Sequence, residues 1–164
     1  MKKIVLVLAV CAFCVTSAFA QKYGHVNSGD IMQNMPGIDS VNIKLTAFQK
    51  SLETLYENMV NEFQTKKDKF DKEAGTMSSS VRKLREDELI SIQNRIQEFQ
   101  YTVQDDIEEE QARLVAPFEE KIKNAINDVA KEHKFSYIFD TRTLLYFDGG
   151  DDVTPLVKKK LGIK

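Results

Sequence analysis

The stretch "EAGTMSSSVRK", residues Glu73 to Lys83, decides the fold because it interrupts a long segment that is otherwise patterned as helix. Gly75 is of the residue type that ends helices by adopting a left-handed conformation. The serines at 78–80 are residue types that begin helices as N-caps. A helix end and a helix start this close together predict a helical hairpin whose tip lies near residues 75–80. The alternative is one continuous helix with a weak point, since a glycine inside a helix costs only about 1 kcal/mol.

Apolar residues recur at helical spacing on both sides of this interruption, as expected for two helices that pack on each other. The first series is Val41, Leu45, Phe48, Leu52, Leu55, Tyr56, Met59, Phe63, Phe70 and Met77, and the second is Leu84, Leu89, Ile92, Ile96, Phe99, Val103, Ile107 and Leu114. The sequence therefore predicts a long antiparallel coiled-coil hairpin over residues 41–115. Each helix of ~30 residues would be ~45 Å long.

The ends of the chain carry short runs of β-branched and aromatic residues that predict strands. They are "KYGHVN" (Lys22–Asn27), "FSYIFD" (Phe135–Asp140) and "TLLYFD" (Thr143–Asp148), the last two joined by two residues as in a β-hairpin. Pro117 predicts a kink or a short break in the second long helix. Thr154 as the N-cap residue and Pro155 at the first helical position predict the start of a final short helix.

Three short strands cannot bury much apolar surface, and an open sheet would leave exposed edges. We therefore expect several chains to contribute strands to one closed sheet. The predicted fold class is α+β, mostly α, with the hairpin arm projecting from a small β-sheet body that subunits share. The predicted division is a signal peptide at 1–20, a body at 21–40 and 116–164, and the arm at 41–115.

The first twenty residues have the pattern of a cleaved signal peptide. Lys2 and Lys3 precede the apolar run Ile4–Val15, and Ala18–Ala20 form a small-x-small cleavage site, so that the mature chain would begin at Gln21. An uncleaved membrane anchor and a lipoprotein are the alternatives. The run is short for a membrane span, and large residues precede both cysteines where acylation favours small ones.

Both cysteines, Cys11 and Cys14, lie in this segment, so a mature chain would hold no disulfide and no thiol site. An exported chain with a bacterial-type signal and no thiol is predicted to reside in the periplasm. Without Lys2 and Lys3, 21 basic residues remain against 25 acidic ones. Bases concentrate between residues 63 and 85 and acids between 91 and 120, which gives the hairpin a basic tip.

Catalytic and cofactor sites are not indicated. His25 and His133 neighbour no nucleophile motif, and the sequence holds no phosphate-binding loop, dinucleotide fingerprint or zinc pattern. Asp148–Asp152 could be imagined as a calcium site, but its spacing differs from that of an EF-hand, and turn chemistry accounts for it. A serine nucleophile at residues 78–80 would have no companion base, and helix capping accounts for these serines better. We predict no enzyme, no cofactor and no metal, and the acidic mature chain does not favour nucleic acid as a partner.

Several stretches resemble the Skp family, also called the outer-membrane-protein-H-like (OmpH) family, of periplasmic chaperones. These stretches are "VNSGDIMQNMPG" (26–37), "EFQTKKDKFDKEAGTMSSSVRKLREDEL" (62–89), "QNRIQEFQ" (93–100), "APFEEKIKNAINDVAKEHKFSYIFD" (116–140) and "GGDDVTPLVKKKLGI" (149–163). The resemblance implies a homotrimer with a β-barrel body and three helical-hairpin arms. It also implies that the arms hold unfolded outer-membrane proteins in solution without ATP.

On this resemblance we expect an ATP-independent holdase, and we assign two sets of residues. The client-binding set on the arm is Phe63, Lys66, Lys67, Phe70, Met77, Val81, Lys83, Leu84 and Arg85. The oligomerisation set is Tyr23, Val26, Tyr137, Ile138, Phe139, Leu144, Leu145 and Tyr146. Family members are often strongly basic whereas this chain is not, so contact with membrane or lipopolysaccharide through the basic tips is expected to be weak. The alternative function is a structural or adaptor coiled coil whose tip docks one folded partner of the cell envelope.

Overall fold

A computed structural model describes residues 21–163 of the 164-residue chain. The predicted signal peptide and its cleavage site after Ala20 lie outside these residues. The elements in chain order are β1 (Tyr23–Val26), α1 (Ser28–Gln33), α2 (Asp39–Glu73), α3 (Ser79–Glu132), β2 (Tyr137–Asp140), a 3₁₀ turn (Thr141–Thr143), β3 (Asp151–Asp152) and α4 (Thr154–Lys160). The presence of two long helices and one small sheet confirms the predicted α+β class with mostly helical content.

The described residues divide into two compact units. Residues 21–34 and 121–163 form the sheet unit, and residues 35–120 form the hairpin unit. The boundaries predicted from the sequence, after residue 40 and before residue 116, stay predictions. Helix α3 continues through Pro117 without the predicted break.

The predicted interruption of the helical pattern is present as a turn between α2 and α3. The hydroxyl of Ser78 accepts a hydrogen bond from the backbone N–H of Val81 at 3.4 Å, so Ser78 caps α3. The predicted left-handed conformation of Gly75 is wrong, because Gly75 is not among the glycines with positive φ. Side chains satisfy the last carbonyls of α2 instead: the Thr76 hydroxyl donates to the Glu73 carbonyl at 2.9 Å, and the Arg82 guanidinium donates to the Ala74 carbonyl.

The hairpin unit is closed by sparse contacts between α2 and α3. Tyr56 and Phe99 stack with ring centroids 6.1 Å apart, and Gln100 donates to the Tyr56 hydroxyl at 2.9 Å. Within α2 and the part of α3 that belongs to this unit, the buried apolar residues are Val41, Met59 and Ile92. The sequence separation of cross-helix partners falls from 43 residues at Tyr56–Phe99 to 22 at Lys66–Glu88, nearer the turn. The two helices are therefore antiparallel, as the apolar series predicted.

The sheet differs from the predicted one. Its strand order is β2-β1-β3, and both outer strands run parallel to β1, with Tyr23 opposite Tyr137 and His25 opposite Asp152. The predicted β-hairpin of residues 135–148 is therefore wrong. The reason is Asp140, whose carboxylate accepts from the Arg142 backbone N–H at 3.1 Å and so starts a 3₁₀ turn where a two-residue strand connection was expected.

The core of the sheet unit lies on one face of the sheet, between the strands and the helices. Its buried residues are Val26, Ile31, Ile122, Ala125, Val129, Val153 and Val157. Thr154 was predicted to cap α4, but its hydroxyl instead accepts from the Asn27 backbone N–H at 3.0 Å. The Asp152 carboxylate accepts from the Thr154 N–H at 2.9 Å, and Val153 is the N-cap residue. These contacts tie the end of β1 to the start of α4.

Among the described residues, none of the helices is both long and apolar enough to cross a membrane.

Candidate functional site

The basic tip of the hairpin unit is crossed by an ion-pair network centred on Glu88. Lys66 on α2 and Arg85 on α3 both contact its carboxylate, the latter at 2.9 Å, and Lys66 also lies 3.5 Å from Glu62. Hydrogen bonds from Lys66 first, and from Arg85 next, lower the pKa of Glu88. Donation of this hydrogen bond to the Glu88 carboxylate in turn raises the pKa of Lys66. This network links the two helices beside the turn.

The network separates the predicted client-binding cations into two kinds. Lys66, Lys67 and Arg85 are paired with carboxylates of the chain, Lys67 with Asp71 at 2.6 Å. Lys83 has no ion-pair partner among the described residues, and neither have Lys69 and Lys72, which the sequence analysis missed. Residue spacing did not identify Lys69 as unpaired, since Glu73 stands four residues later, at the spacing of a helical ion pair. The unpaired cations are the ones free to attract an acidic ligand.

The exposed apolar side chains also differ from those expected. Phe63, Phe70 and Met77 are half-buried between the helices, whereas Val81 and Leu84 are exposed, Leu84 to 64%. Large apolar side chains that were not assigned are exposed as well: Ile43, Leu55, Val60, Ile90 and Tyr101. Four of these five, all but Leu55, do not belong to the two apolar series that predicted the hairpin. An apolar residue outside those series was the signal that could have identified them as exposed. Exposed apolar groups therefore extend along the hairpin, with Tyr101 the most exposed at 82%.

A cavity of ≈ 190 Å³ lies between the helices next to the turn. Phe70, Met77 and Leu89 supply its apolar lining, and the Glu88 network forms its polar wall. Met77 also borders a shallower depression on the other side, with Arg82, Lys83 and Ile90. Because methionine adapts to many shapes, the tip presents adaptable apolar surface beside unpaired positive charge.

The second exposed apolar surface is one face of the sheet, which we name the aromatic face. Tyr23 stacks on Tyr137 with centroids 5.8 Å apart, and Tyr137 stacks on Phe139 at 6.0 Å. All three rings are exposed. Of the predicted oligomerisation residues, Val26 lies on the opposite face, only 2% exposed, in the chain's own core. Ile138 alternates with Tyr137 and Phe139 and is half-buried.

A pocket of ≈ 350 Å³ lies at the edge of the aromatic face, and we name it the His25 pocket. His25 packs against Phe147 with centroids 4.7 Å apart. Its Nδ1 atom is buried and has no hydrogen-bond partner among the described residues. The remaining lining residues are Tyr23, Gly24, Phe139, Leu144, Tyr146, Asp148, Gly149 and Gly150. Next to the pocket, Leu145 is fully exposed.

Polar contacts hold the base of the sheet together beneath this face. Asp140 accepts from the Arg142 guanidinium at 2.8 Å and from the Ser28 hydroxyl. Burial acts to raise the pKa of the Asp140 carboxyl, but the hydrogen bonds from Arg142 and Ser28 outweigh it and hold the pKa at about 2. Asp140 is therefore a charged structural anchor between β2 and the start of α1. Within the part of the chain that the structure describes, no cluster of three or more metal-ligand side chains occurs.

Comparison with known proteins places the chain in a family. Residues 22–161 match the family model described as "Outer membrane protein (OmpH-like)". The protein named "Chaperone protein Skp" from Photorhabdus laumondii is 26% identical over 154 residues, which cover 92% of this chain and 91% of that protein. The Skp protein of Yersinia enterocolitica is 25% identical over 149 residues, or 88% of each chain.

A solved structure shows the same fold. The crystal structure of an OmpH-like outer membrane chaperone from Caulobacter crescentus superposes with a TM-score of 0.66. The match covers 86% of this chain and 83% of that one, at 13% sequence identity. The fold is thus retained although few residues are shared.

Proposed function

Because the chain belongs to the OmpH-like outer membrane protein family, whose Skp relatives are chaperones, we propose that it is a periplasmic holdase. It binds unfolded outer-membrane proteins on its helical hairpins, without ATP, and prevents their aggregation. A chaperone of this kind carries out no covalent chemistry, which agrees with a family of chaperones rather than enzymes.

The observation that supports this proposal is the combination of apolar and cationic side chains on the hairpin unit. Tyr101, Ile43 and Leu84 expose most of their apolar surface. Lys69, Lys72 and Lys83 are tip cations that have no ion-pair partner among the described residues. An unfolded chain offers many apolar and acidic groups in no fixed arrangement, and a dispersed set of weak contacts can bind it without requiring one sequence.

The working form that we propose is a homotrimer assembled through the sheet unit. A single chain leaves Tyr23, Tyr137 and Phe139 exposed on one face of its sheet. Aromatic faces of this kind are usually covered, because their burial stabilises an assembly by the hydrophobic effect. Neighbouring copies would cover the aromatic face, and Val26 takes no part in the proposed contact since the chain buries it already.

The proposal is tested by diluting a urea-unfolded outer-membrane protein into buffer and following light scattering. We expect the purified chain at equimolar trimer to suppress the scattering without ATP, and to do so for several unrelated outer-membrane proteins. Failure to suppress the scattering of any of these proteins would contradict the holdase. Saturable binding of one folded partner would then favour the adaptor function.

Two double variants locate the binding surface. Leu84→Ser with Tyr101→Ser removes exposed apolar groups, and we expect it to weaken client binding by roughly tenfold, since two partly buried side chains contribute about 1–2 kcal/mol. Gln93→Ser with Gln97→Ser is the matched control, because both glutamines are exposed on the same helix. Equal binding by both double variants would exclude the hairpin apolar groups as the client site.

A further inference from the structure

The structure describes a fully exposed leucine next in sequence to the lining of an aromatic pocket that no described residue fills. Leu145 is the most exposed large apolar residue described, and Tyr146 after it is 80% exposed. The His25 pocket has a volume of ≈ 350 Å³ and lies at the edge of the aromatic face. Leu145 does not line the pocket of its own chain.

We propose that the His25 pocket receives Leu145 of a neighbouring copy of the chain, so that the copies join head to tail. This inference rests on the proposed oligomer and names the contact that builds it. Leu145 and the pocket are different surfaces, so each copy would use its leucine on one side and its pocket on the other. A contact between two different surfaces closes into a ring when the rotation between copies allows it.

The size of the exposed surface supports a second copy as the occupant. Six large apolar side chains that line the pocket, stack on its lining or adjoin it in sequence are exposed: Tyr23, Tyr137, Phe139, Leu145, Tyr146 and Phe147. If a fully exposed side chain of this size presents about 200 Å², these six present roughly 750 Å². That area exceeds the ordinary largest patch of a monomer and approaches the ~800 Å² that each partner buries in a standard interface.

The orphaned ring nitrogen of His25 is the second observation. A buried polar atom without a hydrogen bond costs free energy, so native proteins nearly always give it a partner. The backbone N–H groups of residues 145–147 make no hydrogen bond within the described chain. When Leu145 of one copy enters the pocket of the next, these unpaired N–H groups come with it and can donate to His25 Nδ1.

The backbone after β2 explains why a chain cannot use its own leucine. Asp140 and Arg142 fix the 3₁₀ turn at residues 141–143, and the Leu144 N–H donates to the Thr141 carbonyl at 3.4 Å. This turn sets the direction in which residues 145–147 leave the sheet. Leu145 is consequently presented to solvent while Tyr146 and Phe147 line the pocket rim.

The test replaces one side of the contact at a time and measures mass by sedimentation. Leu145→Asp removes the leucine, and Phe139→Glu places a charge in the pocket wall. We expect each variant alone to raise the dissociation constant of the oligomer at least about 100-fold, because a buried carboxylate opposes apolar burial. Leu84→Asp, at an exposed leucine of the hairpin, is the control and should leave the mass unchanged.

A mixture of the two variants separates this inference from misfolding. The intact pocket of the Leu145→Asp chain can receive the intact leucine of the Phe139→Glu chain, so we expect a 1:1 heterodimer. A mixture that stays monomeric, or a Leu145→Asp chain that keeps the wild-type mass, would overturn the head-to-tail contact. Were the wild-type chain itself monomeric, the proposed trimer would be wrong together with this contact, while suppression of client scattering would test the holdase separately.

Discussion

The two units of this chain are stabilised in opposite ways. The sheet unit buries seven apolar residues around contacts between distant parts of the sequence, such as the pairing of β1 with β2. The hairpin unit buries few side chains fully and exposes many apolar ones along two long helices. Contacts between distant segments define one arrangement, whereas helices joined by a turn depend mostly on local bonds. The unit that we propose for assembly is thus the one with the larger buried core. The unit that we propose for client binding is the one with more exposed apolar side chains.

The largest expected effect tests this difference with one substitution made in both units. Ile31→Ala in the sheet unit removes a fully buried side chain, and we expect a loss of about 3–4 kcal/mol in the free energy of unfolding. Ile92→Ala in the hairpin unit should cost only about 2 kcal/mol, because a loosely covered cavity can collapse or admit water. Amide hydrogen exchange, followed separately in β1–α1 and in the hairpin, measures both.

Ile43→Ala is the matched control for this pair, since Ile43 is exposed and alanine favours helix. We expect a change within about 0.5 kcal/mol. An Ile92→Ala loss equal to that of Ile31→Ala would mean that the hairpin core is closed as tightly as the sheet core. The contrast between the units would then not hold.

The sequence predicted the hairpin unit better than the sheet unit, for physical reasons. A turn between long helices is a local event, so Ser78 and the apolar periodicity were sufficient to place it. Strand pairing is set by distant residues, and "TLLYFD" has strand propensity whether or not a neighbouring strand is available. The Asp140–Arg142 turn decided against the β-hairpin, and a single carboxylate of that kind has no periodic signature.

Among site residues, the sequence identified the basic tip but not which of its cations are paired. Lys67 is bound to Asp71, as its i+4 spacing favours, but the link of Lys66 to Glu88 joins two helices and depends on their register. The exposed Tyr101 and Ile43 were missed because the prediction considered only apolar residues at the spacing of the helix–helix contact, and these two lie outside it.

The next prediction concerns the charged anchor of the sheet unit. The pKa of Asp140 is held at about 2, below the ordinary value of 3.8. A depressed carboxyl pKa stabilises the fold above its ordinary value, and this contribution is lost as the pH falls from about 4 towards 2. Asp140→Asn should therefore cost at most about 2 kcal/mol at pH 7. Urea midpoints of wild type and variant should converge near pH 2.

Asp105→Asn is the control for this measurement, because Asp105 is exposed and its carboxylate has no ion-pair partner among the described residues. Its midpoint should follow that of wild type at every pH. A difference between Asp140→Asn and wild type that stays constant down to pH 2 would show that the effect of Asp140 is steric rather than electrostatic.

The smallest expected effect compares one helix end in each unit. In the sheet unit a lysine has the left-handed conformation that favours glycine, whereas in the hairpin unit a glycine does not have it. At the end of α3, Lys134 has a φ of 58° while the Phe135 N–H donates to the Ala130 carbonyl at 2.9 Å. A left-handed conformation costs a side-chain-bearing residue about 1 kcal/mol or more, so Lys134→Gly should stabilise the sheet unit slightly. At the end of α2, Gly75 is not left-handed and a Cβ would meet nothing within 4 Å.

Gly75→Ala should consequently stabilise the hairpin unit by about 0.4–1 kcal/mol, because alanine restricts the unfolded chain without strain in the folded one. Thermal unfolding of the two single variants and of the double variant measures both effects. Since the two positions lie in different units and share no partner, their contributions should add. Stabilisation by Lys134→Gly together with destabilisation by Gly75→Ala would show that the turn at residue 75 needs the conformational freedom of glycine. Stabilisation by both substitutions would show that the turn after α2 does not need glycine. The hairpin unit would then differ from the sheet unit in its exposed side chains and not in the freedom of its backbone.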